Sequence, residues 1–321
     1  MVRDRPSPQD SSEGAYVSMD QLVALESTAR DLTFIQTNAV QQPLTGRHSS
    51  KVRGRGLTFE ELREYLPGDD IRTIDWRVTA RTNKPFVRIY GEEKERPALI
   101  VVDQRRNMFF GSRRAMKSVT AAEAAMLCAW RILGSGDRVG GLVFNDTGVT
   151  QLRPHRSRES VIALADGIAT MNRALNAQTP GERNTKQLDT VLQTVANVAH
   201  HDHLVVVITD FDGHSADTRD LLLRLSVRND VIAILVYDPF LLELPMKGEL
   251  VVRGGSMQAE LAFQQSKART AIGDFARSRG RELLAWQQEL GLPMLPLSSA
   301  VETAPQLRRL LAQTAWRQRR R

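Results

Sequence analysis

The chain is poor in the residues that most directly betray chemistry. Its 321 residues hold a single cysteine, Cys128. One thiol excludes an intramolecular disulfide and a cysteine-rich zinc site, and points to a reducing compartment. Cys128 sits in the apolar run Ala124 to Trp130 and reads as a small buried hydrophobe. No run approaches the roughly 20 apolar residues of a membrane-spanning helix. The polar start, MVRDRPSPQD, lacks the apolar core of a secretion signal, so a soluble, cytoplasmic protein is expected. Gly181-Glu-Arg-Asn-Thr-Lys186 lacks the Gly-Lys-Ser/Thr ending of a P-loop, so no ATPase site is expected here. There is no Gly-x-Ser-x-Gly elbow, which leaves an α/β-hydrolase unsupported. His200, His201 and His203 stand in a polar helix-to-strand connection, where adjacent side chains rarely converge on one metal.

Hydrophobic residues make up 41%, enough for an ordinary core, and the net charge is +7. Much of that charge is local, in Arg47 to Arg55 and in the closing Trp316-Arg317-Gln318-Arg319-Arg320-Arg321. Residues 1–18 are polar and expected to be disordered. A helical periodicity covers 19–37, and 43–97 reads as irregular with a short β-like run from Pro85 to Tyr90. From Ala98 onward apolar strands alternate with amphipathic helices. Strands are expected at 98–103, 139–144, 149–152, 204–210, 231–237 and 294–297, with a hairpin near 244–253. Helices are expected at 112–133, 158–175, 186–200, 218–227, 266–290 and 303–316. Such alternation predicts a doubly wound, mostly parallel α/β sheet with an N-terminal irregular and β appendage. The expected boundaries are 19–97 for the appendage, 98–301 for the α/β domain, and 302–321 for a last helix and basic tail.

Ala98-Leu-Ile-Val-Val-Asp103 and Leu204-Val-Val-Val-Ile-Thr-Asp210 are the two most apolar strands, and each ends in a carboxylate. Right-handed crossovers put both ends on one sheet edge, where ligands of such sheets bind. Neighbouring carboxylates repel unless a positive charge lies between them, and a divalent cation is one solution. The continuation Asp103-Gln-Arg-Arg-Asn107 and the later Thr209-Asp210 resemble the metal-ion-dependent adhesion site of a von Willebrand factor A domain, whose form is Asp-x-Ser-x-Ser with a distant Thr and Asp. Gly54-Arg-Gly-Leu-Thr-Phe-Glu-Glu-Leu-Arg-Glu-Tyr-Leu-Pro-Gly-Asp-Asp-Ile-Arg-Thr-Ile-Asp-Trp-Arg-Val-Thr-Ala-Arg81, with Glu92-Glu93, resembles the DUF58 signature. That resemblance implies a von Willebrand A-like (Rossmann-type) domain in a bacterial protein that partners a MoxR-type AAA+ ATPase. It also implies a metal set of Asp103, Asn107, Asp210 and a distant threonine, Thr185 or Thr179, for Mg²⁺ or Mn²⁺.

The two serine positions of that motif hold Arg105 and Asn107. Asparagine can ligate through its carbonyl oxygen; arginine has no acceptor. An Arg105 guanidinium set between Asp103 and Asp210 would balance both without a metal, which makes the site a degenerate one. Pro67-Gly68 favours a type II turn, and Asp69, Asp70 and Asp75 can pair with Arg72, Arg77 and Arg81. This segment reads either as a self-satisfied network or as a partner surface with Trp76 as anchor. The expected function is non-catalytic: an interaction or chaperone-like module bound by its partners through the sheet edge, Arg105, Asp69, Asp70, Arg72, Asp75 and Trp76. Two alternatives stay open. Asp210-Phe-Asp212-Gly213 imitates the motif of haloacid-dehalogenase-like phosphatases, although no downstream Lys and acidic pair follow at fitting positions. The basic tail could bind nucleic acid or a membrane surface, but no aromatic-interleaved motif accompanies it.

Overall fold

A computed structural model describes residues 14–32, 57–92, 96–176, 184–241, 249–254, 257–262, 278 and 280–318. The chain divides into two compact units. One holds residues 38–95; the other takes the chain before and after them.

The larger unit is built on the two apolar runs. β3 (Pro97–Asp103) and β6 (Leu204–Thr209) pair in parallel at the centre of a six-stranded sheet. β4 (Arg138–Phe144) and then β5 (Val149–His155) extend it beyond β3; β7 (Asp230–Tyr237) and then β10 (Met294–Ser298) extend it beyond β6. Every pairing is parallel except β4 with β5. Both central strands are buried on both faces because helices cover each side. Alternate residues therefore feed different cores. Ala98, Ile100, Val102, Val206 and Ile208 join one, with α1 (Met19–Ala29), α3 (Lys117–Gly134), α4 (Arg158–Arg173) and α8 (Thr303–Gln318). Leu99, Val101, Val205 and Val207 join the other, with α5 (Gln187–Val198), α6 (Ala216–Arg228) and the helical stretch 280–289, counted as α7.

α3 is Ala-rich because it is enclosed: Ala121, Ala122, Ala124, Ala125 and Ala129 have no or almost no exposed surface. α1 packs on it. Ser18 caps α1 in a box with Gln21, and the Trp130 indole donates to the Leu22 carbonyl at 3.2 Å. The sequence reading grouped α1 with the segment that follows; its apolar face, Leu22 and Ala29, is instead buried in the sheet unit. Glycine is required at two adjacent β4 positions. A Cβ at Gly140 would meet Leu152 O at 2.5 Å, and one at Gly141 would meet Ile100 O at 2.4 Å.

The small unit pairs β1 (Leu57–Glu64) with β2 (Phe86–Glu92) in an antiparallel ladder, bulged between Phe59 and Glu61. α2 (Trp76–Thr82) lies between them in the chain, capped by the Asp75 carboxylate and ended by Asn83 in the left-handed region at φ 55. Sequence pattern missed β1 and α2. β1 mixes charges into its alternation, and α2 is too short to show a period. β8 (Glu249–Gly254) and β9 (Met257–Ala262) form a separate hairpin, later than the expected 244–253. α3 starts at Lys117 rather than Ser112, because the Ser112 N–H and hydroxyl are held by Asp238. Most of the expected helix 266–290 before residue 280, and residues 33–37 of the expected first helix, lie outside the described residues.

Candidate functional site

Strand order reverses between β3 and β6: one half of the chain builds outward on the β4 side, the other on the β7 side. A crevice outside the strand C-termini opens at such a switch point. Asp103, the last residue of β3, and Asp210, the residue after β6, both stand there.

Asp103 is fully buried, and four donor groups reach its two oxygens. Oδ1 accepts from the Arg105 backbone N–H at 2.9 Å and from Arg105 Nε at 3.1 Å. Oδ2 accepts from Nε at 3.1 Å, from Arg105 Nη2 at 2.7 Å and from the Thr209 hydroxyl at 2.6 Å. A carboxylate offers about four lone-pair sites, so these donors leave none for a cation. Arg105 is itself only 1% exposed. Its Nη1 donates to the Asp212 carbonyl at 3.1 Å, and its guanidinium carbon lies 5.6 Å from the Phe144 ring centroid. Burial pushes the Asp103 carboxyl up, against the Arg105 guanidinium and the Thr209 hydroxyl, which pull it down. For Arg105, desolvation opposes the charge, but the Asp103 carboxylate more than compensates and holds the guanidinium above its ordinary value.

Asp210 has different partners. Oδ1 accepts from Asn107 Nδ2 at 2.7 Å and from the Asp212 N–H at 2.8 Å; Oδ2 pairs with Lys117 Nζ, at the first turn of α3. The expected bridge is thus divided: Arg105 bonds Asp103 directly and feels the Asp210 carboxylate through space, and Asp210 pairs with Lys117. Asn107 presents its amide NH₂ to Asp210 rather than a free carbonyl oxygen. Thr185 is exposed, and its backbone backs onto Gly213, where a Cβ would meet the Thr185 carbonyl at 2.8 Å. The hydroxyl on Asp103 comes from Thr209. Thr179 lies outside the described residues. Of the expected metal set, then, Asp103 and Asp210 share an edge with Asn107, and their oxygens accept from protein donors. The residues do not fit a bound divalent cation.

The loop after Asp210 is tightly shaped. Phe211 holds φ 55, costly for a bulky side chain, and Gly213 holds φ 75. Phe211 is fixed by burial, by an edge-on contact with Trp286, and by its N–H bonding to the Thr209 hydroxyl at 3.1 Å. That conformation aims the Asp212 carbonyl at Arg105. Beside the site, Ser112 and Ser299 (the latter at 2.6 Å) donate hydroxyl hydrogens to Asp238, and the Phe240 N–H adds a bond at 2.9 Å. Burial favours the neutral form of Asp238, but these bonds outweigh it and hold the carboxyl below its usual range. Cys128 is fully buried, and burial pushes its thiol up to about 12, which disfavours the thiolate.

In the small unit, Gly68 takes φ 109 and the Asp69 N–H bonds the Leu66 carbonyl at 3.0 Å, the turn expected from Pro67-Gly68. The acids pair differently from expectation. Asp69 is gripped by Arg63 Nη2 at 2.9 and 3.0 Å, Asp70 accepts from the Arg72 backbone N–H at 3.0 Å, and Asp75 accepts from Arg88 Nε at 2.8 Å. The Arg88 bond and the α2 backbone N–H groups outweigh desolvation and lower the Asp75 carboxyl. Trp76 stands 66% exposed. Lys117 and Ser112 were missed because nothing in the sequence separates them from any other polar residue before a helix.

Residues 61–282 match the family described as "Protein of unknown function DUF58". This chain belongs to the DUF58 family. Uncharacterized proteins of Mycobacterium bovis and Mycobacterium tuberculosis are 30% identical to it over 254 residues, which cover 79% of this chain and 77% of theirs. Among solved structures, a conserved hypothetical protein, BatB, from Bacteroides thetaiotaomicron superposes with a TM-score of 0.40 at 10% identity, over 68% of this DUF58 chain and 98% of that one. A likeness of that size fixes neither fold family nor function. No helix among the described residues of this DUF58 protein is long and apolar enough to cross a membrane.

Proposed function

We propose that this DUF58 protein is a non-catalytic interaction module, von Willebrand A-like in its sheet edge, that works with a MoxR-type AAA+ ATPase. The observation that carries the reading is the saturation of Asp103. A metal-ion-dependent adhesion site would need its first aspartate free to hold a cation. Here Arg105 and Thr209 take up the lone pairs of Asp103, and Lys117 balances Asp210. The edge is locked by protein cations, which suits a rigid, metal-independent contact surface. The same geometry works against a phosphatase. Asp210 would have to attack phosphorus, yet its oxygens are engaged by Asn107, Lys117 and the Asp212 N–H.

The test is direct mixing with a purified MoxR-type ATPase. Size-exclusion chromatography should show a complex that forms in excess EDTA as well as in Mg²⁺. Failure to form any complex contradicts the reading, as does phosphomonoester turnover that disappears in Asp210→Asn.

A further inference from the structure

Among the described residues, four of the nine exposed large apolar side chains fall in one short stretch of the small unit: Leu62, Leu66, Ile71 and Trp76, of which Ile71 is 62% and Trp76 66% exposed. α2 presents Trp76 and Ala80 in one i, i+4 row and Arg77 and Arg81 in the next, all exposed. Arg72 is exposed on the helical turn just before it. Among the described residues, the carboxylates of this stretch are committed elsewhere: Asp69 to Arg63, Asp75 to Arg88, Glu64 to Lys84, and Asp70 to the cap of the preceding turn. Arg72, Arg77 and Arg81 make no ion pair among the described residues. Three exposed arginines thus share this short stretch with an exposed indole, on a helix that the Asp75 cap and the β2 strand fix in place.

We infer that this face of α2 is a docking surface for an acidic protein segment carrying an apolar side chain, which Trp76 and Ile71 would cover. The inference rests on the interaction-module reading and gives it a partner chemistry. Tryptophan and arginine are the side chains most enriched at the energetic centres of protein interfaces, and arginine grips carboxylates in a planar, bidentate way. Nucleic acid fits less well. Single strands are tracked by a basic groove with repeated aromatic stacking platforms. Here, among the described residues, one exposed indole stands without a second stacking platform beside it.

The experiment uses the full chain and a fluorescein-labelled peptide alternating Glu with Leu around one central Phe. Controls are the same peptide with Gln for every Glu, and a single-stranded oligonucleotide. Anisotropy should show binding of the Glu peptide that weakens with salt. Trp76→Ala, and separately Arg77→Glu with Arg81→Glu, should each weaken it at least tenfold; Arg224→Glu on α6 should not. Unchanged circular dichroism would confirm that the variants fold, since neither arginine supports α2. The inference is overturned if the Glu peptide does not bind, binds no better than the Gln peptide, or binds the variants equally well. It is also overturned if the oligonucleotide binds more tightly and loses binding in the same variants. Complex formation with the ATPase alongside any of these results leaves the interaction reading standing and removes only this surface; peptide binding without an ATPase complex does the reverse.

Discussion

Arg105→Met is the sharpest perturbation of the sheet edge. Methionine keeps much of the buried aliphatic volume and deletes the guanidinium. Five interactions go: the two Nε bonds and the Nη2 bond to Asp103, the Nη1 bond to the Asp212 carbonyl, and the contact with the Phe144 ring. Asp103 is left fully buried with only the Thr209 hydroxyl and the Arg105-position backbone N–H. Breaking a buried pair by removing one partner costs about 3–5 kcal/mol, because the remaining charge stays in the low-dielectric interior. An exposed pair would give about 0–1 kcal/mol, so the two cases separate cleanly. Urea unfolding, followed through the buried Trp130 and Trp286, measures the difference. Asp103→Asn with Arg105→Met removes both charges. It should lose about 2 kcal/mol or more less than the sum of the single variants, as contacting residues couple. A loss below about 1 kcal/mol for Arg105→Met alone would refute the claim that Arg105 is the counter-ion of Asp103.

Three other perturbations follow from particular contacts. Gly213→Ala should cost about 2 kcal/mol or more, since alanine at φ 75 is strained and its Cβ would press on the Thr185 carbonyl; Gly134→Ala, with open space around it, should be neutral or slightly stabilising in the same urea assay. Asp238→Asn should destabilise at neutral pH. The lowered folded-state pKa of Asp238 means its stabilisation is present above the unfolded value of 3.8 and is lost as pH falls below it, so the gap between wild type and variant should narrow in urea melts taken toward about pH 2.5; a gap independent of pH would rule this out. Asp75→Ala should fray α2 by removing both its cap and the Arg88 partner, seen as faster tryptic cleavage after Arg77 and Arg81, with cleavage rates equal to wild type counting against it.

The parallel sheet was legible because its central strands are continuous apolar runs ending in carboxylates, a pattern that a strand buried on both faces imposes. The pairing of Asp103 with Arg105 was legible too, because a residue two positions beyond a strand end can fold back on its carboxylate. Lys117 was not. It comes 14 residues after Asp103, and only the tertiary crossing of α3 over the edge brings it to Asp210. The real arginine partners of Asp69 and Asp75 were hidden in the same way. Arg63 and Arg88 sit on the two strands of a ladder that the mixed charge pattern of β1 concealed. Short elements held by capping and ladder bonds, such as α2, leave no periodic trace in composition.

The central claim is that protein cations, not a metal, balance this sheet edge. Calorimetric titration of the wild type with Mg²⁺ and Mn²⁺ tests it most directly, with Arg105→Ser titrated beside it. The wild type should release no binding heat and gain no melting temperature, because a ligand stabilises only through binding the native state. Arg105→Ser, with a hydroxyl in place of the guanidinium, should be less stable without metal and partly rescued at millimolar Mn²⁺. Clear saturable binding of either ion to the wild type would contradict the account.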